Sequence, residues 1–225
     1  MASNIKDNLS RINEQIKQVA TKPVKLVAVS KFVEAERVVE AIHCGQKIFG
    51  ENYVQEAQGK FEHIKSLGLS DFEFHFIGSM QSNKAKDAVG LFSLIHSVDR
   101  LKLAEALANK ASQKGIHQEI LLQINISNEE NKSGVLPEKL TELLSEVSKF
   151  DSLVVKGLMT IGKEGLSPDE RVKEFLEMNK LYNSCNKQVS SLTELSMGMS
   201  GDFELAIKHG ASIIRVGTAI FGERS

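Results

Sequence analysis

Eight short apolar runs, each followed by a stretch of helical spacing, constrain this chain more than any other feature. The spacing predicts strands over 24–30, 47–50, 72–78, 92–98, 118–126, 153–159, 194–197 and 212–216. Helices are predicted between them, over 35–44, 54–66, 82–89, 101–113, 137–149, 168–189 and 203–209, with a short helical tail after the last strand. The runs are short and nearly continuous, as parallel strands covered on both faces require. Gly45, Gly115 and Gly210 follow predicted helix ends, and Pro137 and Pro168 open two helices. Ahead of the first strand, Ile5, Leu9, Ile12, Ile16 and Val19 form one face of an amphipathic helix that Pro23 stops. The reading is an α/β fold: a single (β/α)8 barrel with an extra N-terminal helix, spanning 1–225 as one domain. An open doubly wound sheet is the structural alternative.

Composition excludes several function classes. The formal net charge is -1, so no basic field suits a nucleic acid, and no apolar run approaches a membrane span. Cys44 and Cys185 lie far apart and predict free thiols rather than a disulfide. Residues 1–7 turn charged at once, without a signal-peptide core, so a cytoplasmic protein is expected. The six histidines form no H-E-x-x-H or close His/Cys cluster, and no metal site is expected.

In a barrel, chemistry sits where strands end. Lys31 follows the first strand, and burial or a nearby cation there would free its amine to attack an aldehyde. Ser196-Met197-Gly198-Met199-Ser200-Gly201-Asp202 follows the seventh strand and Gly217-Thr218 the eighth, where barrels commonly hold phosphate. No G-x-x-x-x-G-K-[ST] run is present. Arg215 interrupts a strand that should be buried and needs a partner. Two readings stand: an ion pair with Asp202 or Glu51, or a contact to a cofactor ring. His75 reads as a satisfied core histidine, Tyr53 sits at the rim, and Tyr182 packs within a helix. A sheltered lysine facing a phosphate cradle is what a pyridoxal 5'-phosphate (PLP) site requires. A barrel that binds a different phosphate ligand, such as a sugar phosphate, is the competing reading.

Ala28-Val29-Ser30-Lys31, Phe49-Gly50-Glu51-Asn52-Tyr53-Val54-Gln55-Glu56, His75-Phe76-Ile77-Gly78 with Gln81-Ser82-Asn83-Lys84, Leu195-Ser196-Met197-Gly198-Met199-Ser200 and 215–222 together resemble the pyridoxal phosphate homeostasis protein family. The resemblance implies one barrel like the N-terminal domain of alanine racemase, binding PLP without established catalysis. It implies PLP held as a Schiff base on Lys31, with Ser200, Gly217 and Thr218 on the phosphate and Arg215 facing the pyridine nitrogen. Asn52 and His75 fall in matching motifs near the site, and Lys132 matches a family lysine close to the pocket. Delivery to PLP-dependent apoenzymes goes with that family role; an open site with one lysine can exchange PLP by transimination, and the even charge permits a monomer. Two departures stand out: the family often reads Ser-Lys-Thr-Lys-Pro where this chain has Ser30-Lys31-Phe32-Val33-Glu34, and some members carry a basic tail absent here. A weak amino-acid racemase is the enzymatic alternative. It needs a second acid/base, for which Tyr53 and Lys132 are the candidates.

Overall fold

The computed structural model describes residues 4–129, 131–187, 189 and 192–223. Helix α1 (Ile5–Val19) opens on Asn4, whose side chain accepts from the Asp7 N–H, and buries Ile5, Leu9, Ile12 and Ile16. Its polar edge grips the other end of the chain: Asn8 Nδ2 donates to Ile220 O at 2.9 Å and Gln15 donates to Glu204 at 2.7 Å.

Strand β1 (Lys25–Val29) and helix α2 (Ala35–His43) begin the alternation. It continues through β2 (Ile48–Glu51), α3 (Val54–Ser66), β3 (Glu73–Phe76), α4 (Ala85–Ala88), β4 (Leu94–Val98), α5 (Leu101–Lys114) and β5 (Gln118–Gln123). The second half runs through α6 (Leu140–Val147), β6 (Leu153–Met159), α7 (Pro168–Asn186), β7 (Glu194–Ser196), α8 (Phe203–Lys208), β8 (Ile213–Val216) and α9 (Thr218–Phe221). The strands pair in sequence order, all parallel, and β8 closes on β1 with Val27 opposite Arg215. This is the closed eight-stranded barrel, not the open sheet.

Most predicted elements shift by one to three residues at an end, and three differences stand out. The 82–89 helix splits into a 3-10 turn (Ser82–Lys84) and the four-residue α4. The 137–149 helix likewise begins as a 3-10 turn (Pro137–Lys139). The 118–126 strand stops at Gln123, where the chain turns away from β6: the Asn125 N–H donates to Val135 O at 3.0 Å, and the Asn125 side chain donates to Glu129 O at 2.9 Å and accepts from the Glu129 N–H at 3.2 Å. Residue 188, inside the predicted 168–189 helix, lies outside the described residues, as do the extreme ends of the 1–225 domain.

Side chains alternate between the two faces of each strand. The outward face packs against the helices in one large apolar layer. The inward face carries a smaller plug of Val27, Leu94, Leu121, Met159 and Ile213, drawn from five strands, with Ile48 against it. Each such fully buried aliphatic side chain contributes about 1.5–3 kcal/mol. Two residues beyond Ile213 on the same face stands Arg215, so the plug floors a polar layer at the barrel's C-terminal mouth. Among the described residues, no helix is long and apolar enough to cross a membrane and no His/Cys/Asp/Glu group could hold a metal ion. Cys44 and Cys185 are free.

Candidate functional site

At the C-terminal mouth, a cavity of about 330 Å³ is lined by Val29, Lys31, Asn52, Ile77, Ile161, Met199, Ser200, Gly201, Arg215, Gly217 and Thr218. These residues follow β1, β2, β3, β6, β7 and β8, or end them, so the closure of the barrel assembles the site.

One side of the cavity is a cradle of small polar groups. Ser200 Oγ accepts from the Gly217 N–H and from Thr218 Oγ1, both at 3.3 Å. Such a set of hydroxyls and amides matches the oxygens of a phosphate. The turn that delivers Ser200 needs Gly198: its φ is +91°, and a Cβ there would lie 2.5 Å from the Ala206 Cβ. Asp202 fixes the same turn, accepting from the Met199 N–H at 2.7 Å and pairing with Arg171 Nε at 3.2 Å.

Asn52, just past β2, also lines the cavity. Its Oδ1 is buried and has no hydrogen-bond partner among the described residues. Burying a polar atom unpaired is costly, so this oxygen suits a ligand donor. Gly78 supports Asn52 from behind, since a Cβ there would lie 2.5 Å from Asn52 O.

Arg215 rises from the floor and is 5 % exposed. Its Nη1 donates to Ser196 Oγ at 2.6 Å and its Nη2 to Thr160 O at 2.7 Å. Neither ion pair expected from the sequence forms: Asp202 pairs with Arg171 and Glu51 with Lys60. Burial pushes the guanidinium down to about 10, against the opposing pull of Asp202, so it remains a cation at neutral pH.

A directed hydrogen-bond chain stands behind it. A guanidinium only donates, so Ser196 Oγ accepts from Arg215 and turns its own proton toward His96 Nδ1 at 3.1 Å. His96 Nε2 then donates to His75 Nδ1 at 3.0 Å, and His75 Nε2 faces Glu73 Oε1 at 3.6 Å. Both rings are thereby assigned as Nε2–H tautomers by the network. Burial holds His96 well below the ordinary histidine value, with His75, Arg215 and Lys25 adding to the effect. The His75 ring beside it holds Glu73 down at about 2, against the opposing effect of partial burial.

The structure thus brings Lys31, Asn52, Ser200, Arg215, Gly217 and Thr218 onto one cavity and leaves His75 off its lining. His75 is 3 % exposed inside the barrel and reaches Arg215 only through His96 and Ser196. Lys132 lines a neighbouring pocket of about 200 Å³ that shares Ile161, where it donates to Gly162 O at 2.9 Å and pairs with Glu129. Tyr53 is half exposed at the rim, its ring 5.3 Å from that of Phe32. Tyr182 donates to Leu192 O at 3.0 Å in the packed position expected of it. Sequence reasoning passed over His96 and gave Ser196 and Thr160 no individual role. His96 and Ser196 share the inward face of β4 and β7, and Thr160 offers only its backbone carbonyl just past β6, relationships that appear only once the barrel closes.

The family model described as the N-terminal domain of alanine racemase matches residues 2–225. A pyridoxal phosphate homeostasis protein of Aquifex aeolicus is 40% identical over 228 residues, covering 98% of this chain and 99% of the relative. That of Escherichia coli K12 is 38% identical over 232 residues, covering 99% and 97%. Among solved structures, PipY of Synechococcus elongatus with PLP bound superposes with a TM-score of 0.88 at 37% identity, covering 97% of this chain and 100% of that one. On this full-length similarity, the chain belongs to the pyridoxal phosphate homeostasis protein family, built on the alanine racemase N-terminal domain.

Proposed function

We propose that this protein binds PLP in the mouth cavity, holds it as a Schiff base on Lys31, and releases it to other amines as an intracellular PLP reservoir. The observation that carries the reading is the convergence of an amine, a phosphate cradle, an unpaired carbonyl oxygen and a buried cation on one cavity of about 330 Å³. The PLP-bound PipY structure and the names of the relatives support it.

In this reading Ser200, Gly217 and Thr218 hold the phosphate, Asn52 accepts a hydrogen bond from the ligand, and Arg215 faces the ring nitrogen. Bound PLP supplies an aldehyde and, when its ring is protonated, an electron sink. Lys31 Nζ condenses with the aldehyde carbon and one water leaves. An incoming amine adds to the same carbon, and Lys31 departs as a free amine, so the cofactor moves without net hydrolysis. Arg215 disfavours protonation of the ring nitrogen, since that would set two cations side by side. The sink is weakened, and carrying is favoured over carbanion chemistry.

A racemase needs a second proton carrier against the ligand. Tyr53 and Lys132, the sequence candidates, stand outside the residues that line the cavity. The proposed carrier is monomeric and cytoplasmic, and its recipients are PLP-dependent apoenzymes.

The test is an absorption titration of wild type and Lys31→Ala with PLP, followed by an assay of L- to D-alanine conversion. The proposal expects a visible Schiff-base band in wild type only, and turnover no faster than free PLP. Lys31-dependent turnover would replace the carrier with a racemase. No band in wild type would favour a barrel for another phosphate ligand.

A further inference from the structure

Lys31 occupies a tight turn whose shape is unusual for its sequence. The Val33 N–H donates to Ser30 O at 3.0 Å, which places Lys31 and Phe32 at the two central positions. Phe32 has φ +61°, the left-handed region that a bulky residue rarely adopts. A strained backbone of this kind persists only where its surroundings over-determine it.

The surroundings here are a buried ion cluster between α3 and the end of β2. Lys60 Nζ donates to Ser30 O at 2.6 Å, to Glu51 Oε1 at 2.8 Å and to Glu56 Oε1 at 2.6 Å. An ammonium has three protons, and all three are used. Glu56 Oε1 also accepts from the Phe32 N–H at 2.6 Å, while Glu51 Oε1 accepts from Ser30 Oγ at 2.7 Å. The side chains of Lys60 and Glu51 are 7% and 0% exposed. Glu56 and Lys60 are four residues apart, so one helix face presents both.

We propose that Lys60 and Glu56 are positioning residues for Lys31: together they hold the carbonyl before it and the N–H after it, and so aim its amine into the cavity. Lys60 grips Ser30 O directly and Phe32 N through Glu56. A buried ion cluster is a poor source of stability compared with apolar packing. Its value here is one backbone conformation at the reactive residue, the preorganisation that a condensing amine needs. The inference rests on Lys31 being the residue that takes the aldehyde.

Three variants test it: Glu56→Ala, Glu56→Gln and Phe32→Gly. The first readout needs no ligand. In the free protein, Glu56→Ala should speed hydrogen exchange of the Phe32 amide at least tenfold while the β1 amides keep theirs. The second is the rate at which borohydride traps a phosphopyridoxyl group on Lys31 after mixing with PLP. Glu56→Ala should slow it about tenfold, the scale of one lost charge-assisted hydrogen bond. Glu56→Gln should restore most of the rate, because its amide oxygen still accepts from the Phe32 N–H. In the Phe32→Gly background the Glu56→Ala effect should shrink, since glycine adopts the left-handed angle at no steric cost. A Glu56→Ala protein with wild-type exchange and trapping overturns the clamp, and so does Glu56→Gln being as slow as Glu56→Ala. If wild type traps nothing on Lys31, the Lys31 reading fails by itself, and amide exchange alone decides the clamp.

Discussion

His96 Nε2 lies 3.0 Å from His75 Nδ1 inside the barrel, two hydrogen bonds behind the Arg215 guanidinium. The proton arrangement that gives every member a partner runs from Arg215 through Ser196 and both imidazoles toward the Glu73 carboxylate. Protonating His96 would set an N–H against the Ser196 hydroxyl proton and place a second cation near Arg215.

That arrangement makes stability depend on pH with a definite sign. Folded His96 titrates well below 6.5, whereas in the unfolded chain it takes up a proton near 6.5. Below that pH the unfolded state binds a proton that the folded state refuses, so stability falls as pH falls. One such group contributes up to about 1.4 kcal/mol per pH unit. Denaturant unfolding of wild type and His96→Gln at several values between pH 7 and 5 should show a slope shallower by about one proton in the variant. Parallel slopes would refute the assignment.

The cradle predicts a graded loss of affinity. Thr218→Val and Ser200→Ala should each weaken PLP binding about tenfold, the scale of one hydrogen bond to a charged group. Direct titration of the folded variants measures this. Unchanged affinity in both would move the phosphate elsewhere.

Gly78 predicts a backbone effect on the site. In Gly78→Ala the new Cβ would lie 2.5 Å from Asn52 O and 2.7 Å from its Cα, so Asn52 must move. The expected cost is ~1–3 kcal/mol of stability, with weaker PLP binding as Asn52 Oδ1 leaves its position. Thermal unfolding and PLP titration of the same protein report the two losses. A variant that matches wild type in both would show that Asn52 has room to spare.

Removing the Lys60 cation strands two carboxylates, one of them fully buried. Lys60→Met should therefore destabilise the free protein by ~3–5 kcal/mol at neutral pH. Burial already raises Glu51 above the ordinary carboxylate value, with Lys60 as the main opposing charge. Lowering the pH toward 5 should accordingly recover part of the loss in Lys60→Met, as Glu51 protonates. A loss that does not depend on pH would point to packing instead of charge.

Much of the fold was legible because each barrel strand is an apolar run and each long helix has its own spacing. Helix α3 and strand β6 match their predicted ranges at both ends. Strand β5 ended early because the Asn125 backbone leaves β6 to bond Val135, a contact that residue type alone does not decide. That Lys31, Ser200, Arg215, Gly217 and Thr218 gather on one cavity was legible because motifs at strand ends converge in a barrel, and Asn52 joined them through the family resemblance. The partners of Arg215 were not. Asp202 and Glu51 were plausible by charge, but closer cations, Arg171 and Lys60, hold them. Lys60 itself reads as an ordinary helix-surface lysine, and only the docking of α3 beside the Lys31 turn shows what it grips.

The account turns on one covalent bond. Purified protein should be incubated with PLP, reduced with borohydride, digested and mapped by mass. The prediction is a phosphopyridoxyl group on the peptide containing Lys31, lost in Lys31→Ala. A protein left unmodified, or modified at some other lysine while Lys31 stays intact, would contradict the assignment of this cavity.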